Sequence, residues 1–295
     1  KATKLVKKSE TMVKNQIFLL PLQPIMRRKM RCTFLLMLLL AMLTGCGEYN
    51  RVLKSKDVDV RYNYAKKAYE QGKYLQASTI LDGLITPLRG GPRGEEALYL
   101  LAMSYYKNQD YLNSGVYFRT YYGRYPKGIY AEDAHFYSGY GYYKESPDPQ
   151  LDQSLTLKAT QELQNFLDLY PKSERAETAR NALFELQDKL TMKELQNANL
   201  YYNLGMYLGN NYQSAVIVAQ NALKLFPYSK YKEDFEMLIL KSKYQMARQS
   251  VEEKKEERFR DVIDEYYSFI NNYPDGPNRK EADNIYKIAK SQTGK

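Results

Sequence analysis

ALYLLAMSYYK at residues 97–107 lies over AHFYSGYGYYK at residues 134–144 with an offset of 37. The overlay pairs Ala97 with Ala134, Ala102 with Gly139, Tyr105 with Tyr142, Tyr106 with Tyr143 and Lys107 with Lys144. Moving back by the same 37 residues reaches Tyr62, Ala65, Ala68 and Tyr69 in RYNYAKKAYE. In each stretch the small and apolar residues recur at helical spacing, so three helices repeat in register.

A second series lies between them. Aromatic–proline pairs stand at Tyr125-Pro126, Tyr170-Pro171, Phe226-Pro227 and Tyr273-Pro274, and Pro87 stands alone before them. Proline ends a helix because it lacks an N–H and crowds the preceding turn. Glu132, Glu177 and Glu233 follow the first three pairs by six residues, and Ala134, Ala179, Phe235 and Ala282 follow the four prolines by eight. Upstream, Ala77, Ser114, Ala159 and Ala215 supply a small side chain where two helices need to approach closely. The stretch ending at Pro126 is similar to the roughly 34-residue tetratricopeptide (TPR) pattern, with Leu98, Leu101, Ala102, Tyr105, Tyr111, Ser114, Phe118 and Tyr121 in place. The expected fold is all-α: a right-handed TPR-like solenoid of about five helix-turn-helix repeats, closing near Pro87, Pro126, Pro171, Pro227 and Pro274. A terminal helix follows from about Pro277 to Ala289, and the first helices form a concave face. An insert, SPDPQLDQ (146–153), separates the helices of repeat three, and repeats four and five are expected to have long first helices.

Composition adds bounds. The 295 residues carry 44 Lys and Arg against 34 Asp and Glu, with 30 Tyr, one His, two Cys and no Trp. Nine of the bases and one acid fall in residues 1–45, which leaves the remainder at a net charge of only +2. Nucleic-acid binding calls for a dense basic face, so nucleic acid is not an expected partner. The basic residues belong to a leader. Residues 1–25 form an upstream segment of doubtful status, and the precursor is expected to start at Met26 or Met30. Residues 26–45 read as a signal peptide: a basic n-region, then eleven apolar residues from Thr33 to Leu43, too few to span a bilayer. Leu43-Thr44-Gly45-Cys46 resembles the bacterial lipobox. That resemblance makes Cys46 the lipidated N-terminus and the lipid of the outer membrane a partner, since two or three acyl chains at about 0.8 kcal/mol per buried methylene anchor durably. Gly47, in place of Asp, favours sorting to the outer membrane by the same resemblance. Cys32 lies within the leader, so no disulfide is expected. Residues 46–57 read as a lipidated tether, 58–172 as N-terminal repeats 1–3, and 173–295 as C-terminal repeats 4–5 with the terminal helix.

Little of the chain carries chemistry. His135 aligns with the packing residue Leu98 and reads as a core or boundary histidine. No Cys/His cluster has metal-ligand spacing, no cofactor motif appears, and no catalytic constellation is present, so the chain reads as a non-enzyme. The loop Arg89-Gly90-Gly91-Pro92-Arg93-Gly94 follows a helix and lacks a Lys-Ser/Thr ending, which makes it a connector rather than a phosphate cradle. Glu252–Arg260 (EEKKEERFR) reads as the solvated face of a long helix. One constellation rises above this background. Tyr62 and Tyr69, Tyr99 and Tyr106, and Phe136 and Tyr143 form seven-spaced aromatic pairs on the first helices of repeats one to three, with Lys107 and Lys144 beside the last two pairs. At these positions the TPR pattern faces its groove. The ladder fits an extended aromatic peptide with a carboxylate. It equally fits repeat packing in a tyrosine-rich chain.

The lipobox, the five repeats, the aromatic–proline repeat ends and the segment Ser173–Pro227 with Tyr201-Tyr202 together resemble the BamD-type lipoproteins of the outer-membrane β-barrel assembly (BAM) machine, over about residues 46–290. The resemblance implies a periplasm-facing scaffold without cofactors. It would dock on the BamA-like barrel-forming subunit through its C-terminal repeats and receive unfolded outer-membrane proteins near its N-terminal ones. The other reading is a cell-envelope TPR lipoprotein acting with peptidoglycan or Tol-type partners.

Overall fold

The computed structural model describes residues 47–294. The leader, Cys32 and the proposed lipidation residue Cys46 lie outside the described residues. The chain divides into two compact units, one ending at Pro87 and the other running Leu88–Lys295. Among the described residues every regular element is helical, and no helix is long and apolar enough to cross a membrane.

The first unit holds a helical segment at 47–53, then α1 (Val58–Glu70) and α2 (Tyr74–Asp82). Asp57 starts α1: its carboxylate accepts from Asp59 N at 2.9 Å and Val60 N at 3.1 Å, two donors that otherwise have no partner inside the helix. Gly72, at φ +75, turns the chain between the helices, and Lys73 N bonds back to Ala68 O at 2.8 Å. Tyr62, Ala65 and Ala68 pack with Ala77, Ile80 and Leu81 in the buried interior of this unit.

The second unit holds α3 (Gly94–Lys107), α4 (Tyr111–Arg124), α5 (Ala131–Glu145), α6 (Ser154–Leu169), α7 (Ala176–Leu204), α8 (Asn211–Leu225), α9 (Lys232–Arg248), α10 (Glu252–Asn272) and α11 (Arg279–Gln292). With α1/α2 these make the five expected helix-turn-helix repeats and the terminal helix. Within each unit every helix packs on the next. Alternate first helices also touch: α3 on α5, α5 on α7, α7 on α9 and α9 on α11. Among the described residues no comparable contact joins the second helices to one another. The first helices are therefore the inner layer of a stacked repeat, as a solenoid requires.

The repeat ends share one device. Each second helix of this unit is capped by the predicted aromatic residue (Tyr125, Tyr170, Phe226, Tyr273) with φ −124 to −133 and ψ 59 to 67. That is outside the helical region, as the following proline demands. Four residues after each proline comes the residue that opens the next first helix, and its N–H is satisfied by a side chain every time. Tyr130 N donates to Tyr121 Oη at 3.1 Å, and Arg175 N and Tyr231 N donate to Ser173 Oγ and Ser229 Oγ, each at 3.1 Å. Asn278 N donates to Glu233 Oε1 at 3.2 Å. Three chemistries thus solve one backbone problem. The small residues Ala77, Ser114, Ala159 and Ala215 are all fully buried, as are Ala134, Ala179 and Ala282. Gly139 sits where an added Cβ would lie 2.9 Å from Leu163 N, so α5 and α6 pack closer there than any side chain permits.

One length departs from expectation. In repeat four the first helix is long, with 29 residues in α7, but in repeat five the second helix is the longer, 21 residues in α10 against 17 in α9. The EEKKEERFR run explains this. Lys255–Glu252 and Arg260–Glu256 ion pairs at i,i+3 and i,i+4 extend α10 by its N-terminal turns, and within the run only Phe259 is buried.

Candidate aromatic face and family

In the first unit, Tyr62 is buried in the α1/α2 packing, while Tyr69 is half-buried and meets Tyr74 edge-on at 5.6 Å. In the second unit, α3 and α5 carry the remaining four rings. Tyr99 stacks on Tyr130 at 3.9 Å and 9°, and its hydroxyl donates to Asp133 Oδ2 at 2.9 Å. Asp133 Oδ1 is held by Arg175 Nη1 at 2.7 Å, and that guanidinium lies over the rings of Phe136 and Tyr137 at 5.6 and 5.5 Å. Tyr106 meets Tyr137 edge-on at 4.7 Å, and burial pushes its phenol well above the usual range. Phe136 is buried, edge-on to Phe166 at 5.4 Å and stacked with Tyr140 at 5.0 Å. The Tyr143 hydroxyl donates to Glu185, and this bond with partial burial pushes it up to about 12.

The predicted ladder in this unit is therefore one connected aromatic cluster, joined through Tyr137 and Phe118. Tyr99, Tyr106 and Tyr143 are half-buried, so each keeps part of its surface in solvent, whereas Phe136 does not. Lys107 and Lys144 are exposed, and the Lys144 ammonium lies 5.2 Å from the Tyr140 ring centroid and 5.4 Å from that of Tyr143. Tyr137 and Arg175 escaped the sequence reading. Tyr137 occupies the register position of Leu100, and Arg175 the helix-opening position four after a proline, so both were findable from the repeat alignment.

A second polar cluster joins α4, α5 and α6. The buried Glu162 accepts from Tyr122 Oη at 2.8 Å and pairs with Arg119 Nε at 3.3 Å. His135 stacks on Tyr122 at 3.9 Å, and burial lowers its pKa. This is the boundary histidine the sequence suggested. The insert 146–153 is pinned to α7, where Lys189 Nζ donates to Ser146 O at 2.9 Å and Lys193 Nζ to Leu151 O at 2.8 Å. The Arg89–Gly94 loop is a chain connector with Gly91 N on Leu88 O at 3.1 Å and Gly94 N on Gly91 O at 3.0 Å. Among the described residues no group of three or more His, Cys, Asp or Glu side chains could hold a metal ion.

A sequence model of the YfiO family, described as outer membrane lipoprotein, matches residues 54–211. No curated protein matches the chain. Two crystal structures of a Podosopora anserina putative kinesin light chain with nearly identical TPR-like repeats overlap it. One is 13% identical over 80% of this chain and 93% of that chain, the other 12% identical over 82% and 100%, both at a TM-score of 0.30. That overlap is too loose to bear on function. The family match takes in repeats one to three, all of α7 and the turn into α8, more than half of the chain. The chain belongs to the YfiO (BamD-type) family of outer membrane lipoproteins, periplasm-facing and non-enzymatic scaffolds of the β-barrel assembly machine.

Proposed function

We propose that this protein, anchored in outer-membrane lipid by an acylated Cys46, holds the BamA-like barrel-forming subunit on its C-terminal repeats (173–295). Its N-terminal repeats (58–172) receive unfolded outer-membrane proteins. The observation that carries the reading is the family match across residues 54–211. The division is one of partners, not of folding units. One apolar cluster runs across the boundary, with Phe136, Leu163 and Phe166 packed against Ala179, Ala182 and Leu186.

The chemistry of the client supports the aromatic face of α3 and α5 as its landing place. An unfolded barrel strand is extended, alternates apolar and polar residues, and carries aromatics near the membrane interfaces. The half-open rings of Tyr99, Tyr106 and Tyr143 offer edges and faces to such aromatics. Lys144 adds attraction to a terminal carboxylate, modest because salt screens it. At about 1–2 kcal/mol for each ring engaged, two or three rings give binding in the micromolar class, which suits a client that must be handed on.

The test is a peptide copying the last strand of an abundant outer-membrane barrel protein, titrated against the full-length protein and a Tyr106→Ala, Tyr143→Ala variant. Affinity should fall about tenfold or more, roughly 1.4 kcal/mol. The Tyr106→Phe, Tyr143→Phe variant keeps the rings and should bind nearly as wild type. A loss below about twofold in the alanine variant, with the fold intact, would assign the rings to repeat packing alone.

A further inference from the structure

Successive repeats of the second unit, and the terminal helix, meet at four seams, and the sequence marks a difference among them. Glu95, Glu132, Glu177 and Glu233 each stand second in a first helix. Two of these acids clamp the loop that opens the following first helix. Glu95 Oε1 accepts from Ile129 N at 2.9 Å, and Glu233 Oε1 accepts from Asn278 N and Asn278 Nδ2, each at 3.2 Å. Both loops carry glycine two residues after the proline, Gly128 and Gly276, where an added Cβ would collide with that carboxylate. After Pro171 and Pro227 the same place is taken by Ser173 and Ser229, whose side chains leave no room for a seated acid. The serine hydroxyls accept Arg175 N and Tyr231 N instead, so Glu132 and Glu177 clamp no loop. Both seams of repeat four therefore lack the clamp.

Repeat four makes up the loss on one side only. Toward repeat three, Arg175 pairs with Asp133 at 2.7 Å, and Lys189 and Lys193 of α7 reach Ser146 O and Leu151 O at 2.9 and 2.8 Å. Toward repeat five, two side-chain bonds cross the seam among the described residues. One is the Lys230 Nζ–Asp188 Oδ2 ion pair at 2.7 Å, and the other a weak bond from Asn210 Nδ2 to Met246 Sδ at 3.5 Å. The Lys230 side chain is 62% exposed. An exposed pair holds two helices weakly, and salt weakens it further. The seam is also incompletely filled, since cavities of about 460, 290 and 170 Å³ border it. The largest lies between Phe184 and Thr191 of α7 and the loop at Pro227 and Tyr228. The second lies among α8, α9 and α10, and the third among α7, α9 and α11. Space of this kind forfeits the dispersion contacts that would lock two repeats together.

What joins repeats four and five is apolar: Leu195, Ala198 and Ala219 pack against Phe235, Leu238 and Ile239. Such contact is non-directional, so it resists separation more than sliding. Packed helices that slide on one another are the material of a shear motion. We infer that the seam between repeats four and five is a sliding joint built into the solenoid and latched by the Lys230–Asp188 ion pair. Repeat five and the terminal helix move there as one body against repeats two to four. Each body is tied internally. Glu95, Lys189 and Lys193 tie the first, while the Glu233 clamp, the Tyr266–Asp283 bond at 2.7 Å and the Lys241–Glu281 pair at 3.0 Å tie the second. Salt loosens the latch without touching the apolar contact. The joint does not depend on which partner either end holds.

The experiment replaces Asn221 and Ser268, exposed on α8 and α10, with spin-labelled noncanonical residues in the full-length lipoprotein in detergent. Pulsed electron resonance on frozen samples reads their distance distribution. A second pair at Val116 and Asn165, exposed on α4 and α6, spans the clamped seam between repeats two and three. From about 0.05 M to about 1 M salt the 221–268 distribution should widen about twofold, while the 116–165 distribution stays unchanged. Asp188→Asn should give the wide distribution already at low salt, with no further response. The charge-swapped Asp188→Lys, Lys230→Glu variant should recover a narrow, salt-sensitive distribution, which a merely disturbed fold would not. A 221–268 width indifferent to both salt and Asp188→Asn would overturn the joint. Widening with salt that Asp188→Asn does not reproduce would overturn the latch. Equal widening of both pairs would make the motion a property of the whole stack, which also overturns the proposal.

Discussion

Repeats two and three and the hairpin of repeat four are built from the same repeat, yet they spend their tyrosines in opposite ways. In the former the rings turn to one another and the hydroxyls to carboxylates: Tyr99 to Asp133, Tyr121 to Glu95, Tyr122 to Glu162 and Tyr143 to Glu185. In repeat four, Tyr202 and Tyr212 pair edge-on, but Tyr201 and Tyr207 stay open, and no carboxylate lies between Leu195 and Leu223. A phenol can be buried cheaply only when its hydroxyl is bonded. Supplying an acid from another helix, in three of the four cases a helix of the next repeat, turns a tyrosine into cement, and withholding acids leaves it open. The difference therefore separates tyrosines that tie neighbouring helices together from tyrosines left open to solvent.

The largest expected effect tests the cement. Tyr121 is fully buried, its hydroxyl donates to Glu95, and the same oxygen accepts Tyr130 N. Tyr121→Ala should cost about 3–5 kcal/mol in chemical denaturation. Tyr121→Phe should cost about 1–3 kcal/mol, because the half-buried Tyr130 N–H loses its acceptor and Glu95, which keeps Ile129 N, loses one of its donors. Tyr207→Ala should fall within about 0.5 kcal/mol of wild type. A Tyr207→Ala cost comparable to that of Tyr121→Ala would break the distinction.

Next in size is the helix approach at Gly139. Repeat two has Ala102 at the equivalent position, but in repeat three an added Cβ meets the Leu163 backbone nitrogen, which cannot move aside as a side chain can. Gly139→Ala should destabilise by about 1–3 kcal/mol, despite alanine's better helix propensity. A neutral or stabilising result would mean that α5 and α6 separate without cost. A smaller effect of opposite sign belongs to the apex of repeat four: Leu208, at φ +54, stands in the left-handed region, and Leu208→Gly relieves that backbone and should raise stability by up to about 1 kcal/mol. Thermal and denaturant melts of the two variants side by side read both signs.

The fold was legible because its punctuation is local. A proline with an aromatic before it stops a helix whatever its surroundings, and four of the five repeat ends carry that pair. The small residues at helix crossings were legible for a related reason, since only a few side chains fit there. The aromatic face was legible in part. A spacing of seven puts Tyr99 and Tyr106 on one side of a helix, but it cannot tell which rings a neighbouring repeat will cover. Phe136 is covered by Phe166, and Tyr137 joins the cluster from a register position where repeat two has Leu100. The apex of repeat four was missed because an uncharged run of Leu, Tyr, Asn and Gly at helical spacing looks like core. Only the exposure of Tyr207 and Leu208 distinguishes it. The long α10 was legible in its charged run, but its place as the second helix of repeat five was not, because charge pairs rather than apolar spacing lengthen it.

The smallest expected effect is a pH dependence seated in the stack. His135 is half-buried, with the Tyr122 ring 3.9 Å away on one face and Tyr170 at 5.7 Å. Glu162, the acid of this cluster, is engaged with the Tyr122 hydroxyl and Arg119. Burial lowers the histidine's pKa below its ordinary value of 6.5, so the folded protein favours the neutral ring. The sign follows by linkage. Above pH 6.5 both folded and unfolded chains carry a neutral ring, and this contribution to stability is fully present. As pH falls below 6.5 the unfolded chain takes up the proton first, so stability declines until the folded state protonates as well. His135→Phe should remove that decline, because a ring of similar size can still stack on Tyr122 but cannot charge. Denaturation midpoints of wild type and variant between pH 7.5 and about pH 5 test this. Parallel curves for the two proteins would assign the acid sensitivity to carboxylates. A wild-type curve that steepens below pH 6.5 while the variant stays flat would place it at the seam between repeats two and three, inside the part of the molecule built for cohesion.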